Sequence, residues 1–293
     1  MQSTILSAGR YTGIYGGIEV KAPVIFLTLF LIIILAITAF YNGLVIRNYS
    51  LSTDKFAQGE SIRAVLISDL HSHIYGNNQN KLIEKISRQN PDIILLAGDI
   101  ADDHMPIAGT ELLLLGIKDV APVFYVSGNH ECWSGDIDSI KNIVKSYGVT
   151  VLEGGYEEVI INGVTVTIAG VDDPERVRYE RYSTGKSTWE VFDELAVKDQ
   201  FKILIAHRPE RIEEYKRYTF DLVVSGHSHG GQVRIPLLLN GLFAPNQGLF
   251  PKYAGGMYKH DNLTHIVSRG VSFDPLLPRI FNPPEVVVID ISK

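Results

Sequence analysis

Five short apolar runs in this chain each end in residues that can ligate a metal ion, and this repeated pattern limits the possible folds. Segments with helical apolar spacing lie between the runs, which is typical of strands and helices in turn. In open α/β sheets the carboxyl ends of neighbouring strands lie at one edge, so residues that follow several strands can converge there. The pattern predicts an α/β fold with a ligand site at the strand ends.

The apolar periodicity also predicts where the individual elements lie. The predicted strands are residues 63–68, 92–97, 123–127, 202–206, 221–225 and 285–291. The predicted helices are residues 81–89, 110–120, 136–147 and 189–199. Val, Ile and Thr surround the pair Asn162-Gly163 within residues 150–169, which favours antiparallel hairpins and therefore a mixed sheet. No linker-like segment interrupts residues 61–293, which we predict to form one α/β domain.

The N-terminal part of the chain departs from this pattern, because no charged residue occurs from Ala22 to Ile46. A helix of that length spans roughly 37 Å, more than a hydrocarbon core of about 30 Å. We predict an N-terminal tail at 1–21, a single transmembrane anchor at 22–46 and a polar tether at 47–60. A buried core helix and a cleaved signal peptide are the alternatives. The tail disfavours a signal peptide, and Lys and Arg flank the run on both sides, so charge does not orient it.

The overall composition excludes several classes of protein. With 45% hydrophobic and 20% charged residues, the chain has the composition of a folded globular protein. Its formal net charge of −6 disfavours a partner bound through the phosphate backbone of nucleic acid. The single cysteine, Cys132, can form neither an internal disulfide nor a thiolate metal cluster.

The residues that follow the apolar runs carry the chemical information. The five blocks are Ser68-Asp69-Leu70-His71, Gly98-Asp99-Ile100-Ala101-Asp102, Gly128-Asn129-His130-Glu131, Ala206-His207-Arg208-Pro209 and Gly226-His227-Ser228-His229-Gly230. Any one of them alone is compatible with a solvated turn or an exposed loop. Together, in this order after predicted strands, they favour a metal site. Oxygen and imidazole ligands without thiolate suit Mn²⁺, Fe or Zn²⁺, and metal availability selects among these ions.

The order and internal spacing of the five blocks resemble the signature of the calcineurin-like metallophosphoesterases. The resemblance implies a four-layered α/β/β/α sandwich with mixed sheets and a centre of two divalent ions, manganese being the leading expectation. The implied ligands form two sets with a shared carboxylate: Asp69, His71 and His229 for the first ion, Asn129, His207 and His227 for the second, and Asp99 for both. The resemblance leaves His130 off the metals as a catalytic residue, with Asp102 as its partner.

The implied reaction is hydrolysis of a phosphodiester, a pyrophosphate or a phosphomonoester. Two ions roughly 3.5 to 4 Å apart lower the pKa of a bridging water and stabilise charge on the phosphoryl oxygens, so metal-bound hydroxide is the expected nucleophile. His130 would protonate the leaving oxygen, and a carboxylate such as Asp102 would favour its protonated form. A purely structural role for His130 is the alternative.

The anchor and the tail 279–285 are similar to the bacterial membrane-associated branch of the family, some of whose members resemble hydrolases of UDP-2,3-diacylglucosamine. Residues 235–250 are apolar but broken by Pro and Gly, which predicts a loop that contacts acyl chains or lipid, or else packs under the sheet. Arg208, Arg269 and Arg279 are candidates to bind phosphate. We therefore expect a phosphorylated, lipid-linked substrate, membrane lipid as a partner and no nucleic acid.

The expected location is the cell membrane, with the catalytic domain on its extracytoplasmic side. Two other functions stay open on the sequence alone: a non-catalytic metal-binding scaffold at the membrane, and a protein or nucleotide phosphatase. Metal-dependent hydrolysis separates the enzyme from the scaffold.

Overall fold

The computed structural model describes residues 22–176, 188–273 and 277–293, and the strands of this part of the chain form two six-stranded sheets and one two-stranded ribbon. The strands are β1 (Val45–Ser52), β2 (Ser61–Ile67), β3 (Ile93–Ala97), β4 (Val123–Val126), β5 (Thr150–Val151), β6 (Tyr156–Ile161), β7 (Val164–Val171), β8 (Phe201–Ala206), β9 (Leu222–Ser225), β10 (Phe243–Ala244), β11 (Gly248–Leu249), β12 (Gly256–His260), β13 (Leu263–Val267) and β14 (Glu285–Ser292). The α-helices are α1 (Ala22–Ala39), α2 (Asn80–Ser87), α3 (Ala108–Ile117), α4 (Asn129–Trp133), α5 (Ile137–Ser146), α6 (Thr188–Asp193) and α7 (Ile212–Tyr215).

Both large sheets are mixed, as predicted. The first has the strand order β1-β14-β2-β3-β4-β5, and the second has the order β12-β13-β9-β8-β7-β6. In the first sheet β2 to β5 run parallel and β14 pairs with β2 in the antiparallel sense. In the second sheet β7, β8, β9 and β13 run parallel, and β6 and β12 are antiparallel edge strands. The parallel strands at the centre of each sheet bring their carboxyl ends to one edge.

Alternating apolar side chains assemble these sheets into layers. One face of each sheet contributes to a shared core, in which Leu66 and Val287 of the first sheet and Ile203 of the second are fully buried. Burial of each such side chain stabilises the fold by about 1.5–3 kcal/mol. The outer face of the first sheet packs on α2, α3 and α5, and that of the second packs on α6 and α7. The layers run helix, sheet, sheet, helix, in the order that the resemblance implied.

The segment 150–169 contains one hairpin rather than several. β6 and β7 pair in the antiparallel sense around Asn162 and Gly163, whose φ values of 53° and 84° suit a tight hairpin turn. The prediction that residues 150–169 form antiparallel hairpins is therefore wrong at their start, because β5 pairs parallel with β4. Helix α5 carries the chain back along the sheet before β5 begins, and such a crossover gives a parallel pair.

The N-terminal region differs from the prediction at two points. Helix α1 ends at Ala39 rather than at Ile46, and Val45–Ser52 is a strand rather than an irregular tether. β1 pairs in parallel with β14, from Val45 opposite Glu285 to Ser52 opposite Ser292. β1 is the edge strand of its sheet and has exposed positions, so its polar sequence lacks a clear apolar period.

Both sheets lie in one compact unit from Ala39 to Lys293. Within the described ranges, no helix combines the length and the apolar character that crossing a membrane requires. The apolar side chains of α1 are nonetheless exposed, Phe26 at 72% and Leu35 at 59%.

Candidate metal centre

Seven of the side chains that the sequence singled out lie at the carboxyl ends of strands from both sheets. The first sheet contributes residues that follow β2, β3 and β4: Asp69, His71, Asp99 and Asn129. The second sheet contributes residues that follow β8 and β9: His207, His227 and His229. Because the two sheets pack face to face with these edges together, the loops of both sheets meet at one place.

The potential ligand atoms form groups of suitable size for cations. Asp69, His71 and His229 each offer one atom, and these atoms lie within 4.8 Å of one another. Asp99, His207 and His227 form a second group by the same measure. Oδ2 of Asp99 lies 3.0 Å from Nε2 of His207 and 3.9 Å from Nε2 of His71. Asp99 therefore belongs to the second group and also faces His71 of the first, so it could contribute to holding both ions.

The donor set at the centre suits the divalent ions that the resemblance implies. Oδ2 of Asp69 and Oδ1 of Asn129 are buried and have no hydrogen-bond partner among the described residues. A buried polar atom without a partner costs free energy, which a bound cation would recover. Asp69, His71 and His229 would hold one ion and Asn129, His207 and His227 the other. Carboxylate, amide and imidazole are all ligands of first-row divalent metals.

Hydrogen bonds to the far side of two imidazoles determine which nitrogen faces the site. Nδ1 of His207 donates to the carbonyl oxygen of Ala97 at 2.7 Å, which leaves Nε2 directed at Asp99. Nδ1 of His71 lies 3.0 Å from Oδ2 of Asp102, which likewise leaves its Nε2 toward Asp99. Such outer partners orient metal-binding histidines. The predicted partner of Asp102 is His130, but Asp102 lies closer to His71, at 3.0 Å, than to His130, at 3.3 Å.

The backbone at the site adopts conformations that non-glycine residues rarely take. The φ values of Asp69, Asp99 and His227 are 52°, 51° and 68°. Each such residue costs about 1–3 kcal/mol, and such strain is concentrated at functional sites. A Cβ on Gly226 would lie 2.5 Å from Oδ2 of Asp69, and one on Gly128 would lie 2.2 Å from Oδ1 of Asp99. Only glycine at these two positions allows the loops to approach so closely.

A buried carboxylate holds two of the site's loops together. Glu131 accepts hydrogen bonds from the backbone N–H groups of Asp99, Ile100, Ala101 and Gly128, at 2.7–3.0 Å. These bonds fix the loop that carries Asp99 to the first turn of α4. The role of Glu131 does not follow from the ligand pattern of its block, but its position three residues after Gly128, at the start of a helix, is a sequence signal for such a capping carboxylate.

His130 lies outside these two groups, although by the same measure it forms a further group with His71 and Asp102. Its backbone N–H donates to Oδ1 of Asp99 at 2.9 Å, and its Nδ1 lies 2.7 Å from Oδ1 of Asp103 and 3.3 Å from Oδ2 of Asp102. Burial alone would lower the pKa of His130, but Asp102, Asp99 and Asp103 outweigh it and raise that pKa to about 9. The nearer carboxylate is therefore Asp103, which sequence reasoning did not single out although it directly follows Asp102.

The two histidines after β9 behave differently from His130. Burial lowers the pKa of His227 to about 3, aided by the positive charges of His207 and Arg208. Burial also lowers the pKa of His229 to about 4, and Asp69 only partly opposes this effect. Both rings are therefore neutral near pH 7, which is the form that ligates metals.

The arginines predicted to bind phosphate are already engaged in the structure. Arg208 is buried and makes a bidentate pair with Asp173, with Nε 2.5 Å from Oδ2 and Nη2 3.0 Å from Oδ1. Its Nη1 lies 3.3 Å from Nε2 of His227, so Arg208 supports a histidine of the second group. Arg279 is buried too and lies 3.5 Å from Nδ1 of His229. Arg269 lies 3.5 Å from Glu285.

The fold and this arrangement of carboxylates and imidazoles define a hydrolase of the dinuclear metallophosphoesterase class. Residues 62–231, which are 170 of the 293 residues, match the calcineurin-like phosphoesterase family, and the chain belongs to that family. The predicted family and the predicted class of enzyme, a metal-dependent phosphoric ester hydrolase, are confirmed. The family uses two divalent ions, and the groups described above supply candidate ligands for them.

The chain is similar to metallophosphoesterases of two bacteria. The chain is 31% identical over 254 residues to an uncharacterized metallophosphoesterase of Aquifex aeolicus, an alignment that covers 84% of this chain and 91% of the relative. It is 29% identical over 261 residues to an uncharacterized metallophosphoesterase of Helicobacter pylori, covering 85% of this chain and 65% of that protein. This chain therefore spans just under two thirds of the Helicobacter protein.

A solved structure shares the fold at low sequence identity. The NAD nucleotidase NadN of Haemophilus influenzae aligns with a TM-score of 0.50 and 16% identity, covering 72% of this chain and 45% of that one. At this identity the likeness concerns the fold alone.

Proposed function

We propose that this protein hydrolyses a phosphate ester of a membrane amphiphile at a centre of two divalent ions, manganese being the leading candidate. The observation that carries this proposal is the pair of buried oxygen atoms, Oδ2 of Asp69 and Oδ1 of Asn129, that have no hydrogen-bond partner among the described residues and lie at the carboxyl ends of strands, as do the two groups of potential ligands. When bound, the two ions would activate water and neutralise charge on the phosphoryl oxygens.

The side chains around the ions would position the ester and supply a proton. His130 is partly buried, its ring edge meets His71 at a centroid distance of 4.3 Å, and it is held by two carboxylates. With its pKa raised to about 9, His130 is protonated near pH 7 and can donate its proton to the leaving oxygen. Arg208 would hold His227 in place rather than contact the phosphate, because Asp173 already occupies two of its nitrogens.

Membrane attachment is the second part of the proposal, and α1 supports it. The apolar side chains of this helix are exposed, and the hydroxyls of Thr28 and Thr38 donate to carbonyl oxygens of their own helix, both at 2.8 Å. A large exposed apolar surface marks contact with a membrane or a protein partner. Flotation of the full chain with vesicles, compared with Phe26→Asp and Leu31→Asp variants, tests this part.

An amphiphilic substrate is supported by the loop beside the last metal block. Leu237, Leu238 and Phe250 are exposed at 105%, 84% and 66%, so this loop does not pack under the sheet. A lipid-linked substrate such as UDP-2,3-diacylglucosamine would place acyl chains against such a loop. The extracytoplasmic side of the membrane stays a prediction, and protease accessibility in spheroplasts would test it.

The deciding experiment is hydrolysis of a chromogenic phosphodiester and a chromogenic phosphomonoester by the full chain, with Mn²⁺ and with chelator. The full chain is required because a form starting at residue 61 would lack β1, a strand of the first sheet. We expect turnover of at least one ester that chelator abolishes. Metal binding without any metal-dependent turnover would instead favour the scaffold.

A further inference from the structure

A cavity of about 570 Å³ lies beside the loop that follows β13, and the site described above does not use it. Three arginines line it together with an apolar loop: Arg47, Arg234, Arg269 and residues 235–239. Arg47 belongs to the edge strand β1, and Arg269 follows β13. The cavity thus combines residues from both sheets, as the metal centre does, but with the opposite sign of charge.

The negative charge beside the three guanidinium groups does not neutralise their positive charge. Glu285 is fully buried and lies 3.4 Å from Nε of Arg47 and 3.5 Å from Nε of Arg269. Arg234 pairs with the neutral amide of Asn240. Three positive charges and one negative charge leave a formal excess of +2 among these side chains. An anion in the cavity would neutralise this excess.

Two of the arginine nitrogens are buried without a hydrogen bond, although Nε of Arg269 is ion-paired with Glu285. Nη1 of Arg234 and Nε of Arg269 make no hydrogen bond with any residue that the structure describes. Burial lowers the pKa of Arg234 to about 10, and the positive charge of Arg269 adds to this effect. Guanidinium groups bind phosphate oxygens through paired N–H donors, so the unsatisfied donors and the charge call for the same ligand.

The apolar part of the lining, residues 235–239, forms an apolar wall that is largely open to solvent. Ile235, Leu237 and Leu238 are exposed, although they are large aliphatic residues. Phe281, which also lines the cavity, donates its backbone N–H to the carbonyl oxygen of Ala39 at 2.7 Å. Along the chain, Ala39 directly follows the apolar segment 22–38.

We infer that this cavity binds the phosphate group of an anionic amphiphile, with the arginines on the phosphate and residues 235–239 on the acyl chains. Arg279 links the cavity to the metal centre, because its Nη1 donates to the carbonyl oxygen of Arg269 at 2.6 Å while its Nη2 lies 3.5 Å from His229. The inference rests on the proposed function only for the choice of an amphiphile; phosphate binding by the arginines requires neither metals nor hydrolysis.

Calorimetric titration of the metal-free full chain in nonionic detergent tests the site without the metal centre. The probes are dihexanoyl phosphatidic acid, dihexanoyl phosphatidylcholine and inorganic phosphate. We expect the phosphatidic acid to bind at least about tenfold more tightly than either other probe, because only it combines an excess negative charge with acyl chains. Equal affinity for the two lipids, or no binding of phosphatidic acid, would overturn the inference.

Variants separate the two walls of the cavity. Arg234→Gln should weaken phosphatidic acid binding by about tenfold or more, and Arg234→Lys by less, because it keeps the charge but not the paired donors. Arg47 is half-exposed, so Arg47→Gln repeats the test if Arg234→Gln does not fold. Arg88 is exposed on helix α2's C-terminal side, away from the cavity lining, and Arg88→Gln is the matched control.

Variants of the apolar wall test whether the bound phosphate belongs to a lipid or is free inorganic phosphate. The double variant Leu237→Ser/Leu238→Ser should weaken binding of phosphatidic acid but leave inorganic phosphate unchanged. If this variant binds phosphatidic acid as tightly as the wild type does, the ligand is a free phosphate rather than a lipid, and the amphiphile is excluded. Unchanged binding by Arg234→Gln and Arg47→Gln would exclude the cavity itself.

Discussion

The loops of the two sheets contribute different chemistry to the metal centre. The carboxylates nearest the site's imidazoles all follow strands of the first sheet: Asp69, Asp99, Asp102 and Asp103. The second sheet contributes His207, His227 and His229, of which the last two are kept neutral by burial. The negative charge of the site therefore comes from one sheet, and most of its imidazoles come from the other.

This division means that neither sheet contains a complete site. Nε2 of His229 lies 3.6 Å from Asp69, and Nε2 of His207 lies 3.0 Å from Asp99, so both ligand groups cross from one sheet to the other. The apolar core between the sheets brings these side chains together. The comparison predicts that loss of a carboxylate from the first sheet is more damaging than loss of an imidazole from the second.

The largest effect is expected for Asp99→Asn, which removes the carboxylate that faces both groups. Turnover of the chromogenic ester should fall by at least about a thousandfold, as when a member of a catalytic group is lost. Metal content, measured by elemental analysis, should fall below two ions per chain. The exposed Asp119→Asn is the matched control, and retention of both ions with full turnover by Asp99→Asn would refute the bridging role.

For His130→Ala we expect little change in metal content but a large decrease in turnover. Loss of a general acid lowers turnover by about 10²–10⁴-fold. Both ions should stay bound, because His130 lies outside the two ligand groups. If His130→Ala loses metal, His130 belongs with the ligands and the division between the sheets needs revision.

His207→Ala tests the contribution of the second sheet. Because this imidazole would ligate the metal directly, metal affinity should fall by more than the about 10–100-fold that loss of an outer partner of a ligand costs, and excess Mn²⁺ should restore part of the turnover because the other ligands stay in place. His260→Asn, in the edge strand β12, provides a control for loss of a histidine elsewhere in the second sheet. A comparison with Asp99→Asn, which excess Mn²⁺ should not rescue, sharpens the contrast between the sheets.

The smallest effect is expected for Asp103→Asn, which weakens the support of His130. Activity that needs protonated His130 is present below its pKa and lost above it. Removal of Asp103 lowers that pKa from about 9, so the alkaline decline in rate should begin at a lower pH. Near neutral pH the rate should fall by roughly tenfold or less. An unchanged pH profile would assign the support of His130 to Asp102 alone.

Much of the central fold was predictable because its strands are buried on both faces. β3 and β4 consist of continuous apolar residues, and β8 and β9 do so except for Lys202 and Ser225; such runs mark a buried strand whatever its neighbours are. β1 and β12 were missed because they lie at sheet edges and mix polar with apolar residues. Edge strands depend on the pairing partner, which the local sequence does not contain.

The sequence by itself determined the family, the strand ends and the types of ligand, because the blocks from Asp69 to His229 place metal-binding residues after buried strands. Only the tertiary structure decided which residues support the ligands. Asp103 lies beside His130, Asp173 holds Arg208, and Arg47 meets Arg269 across Glu285. These partners are brought together by the packing of two sheets, and distances across that packing are not encoded in local periodicity.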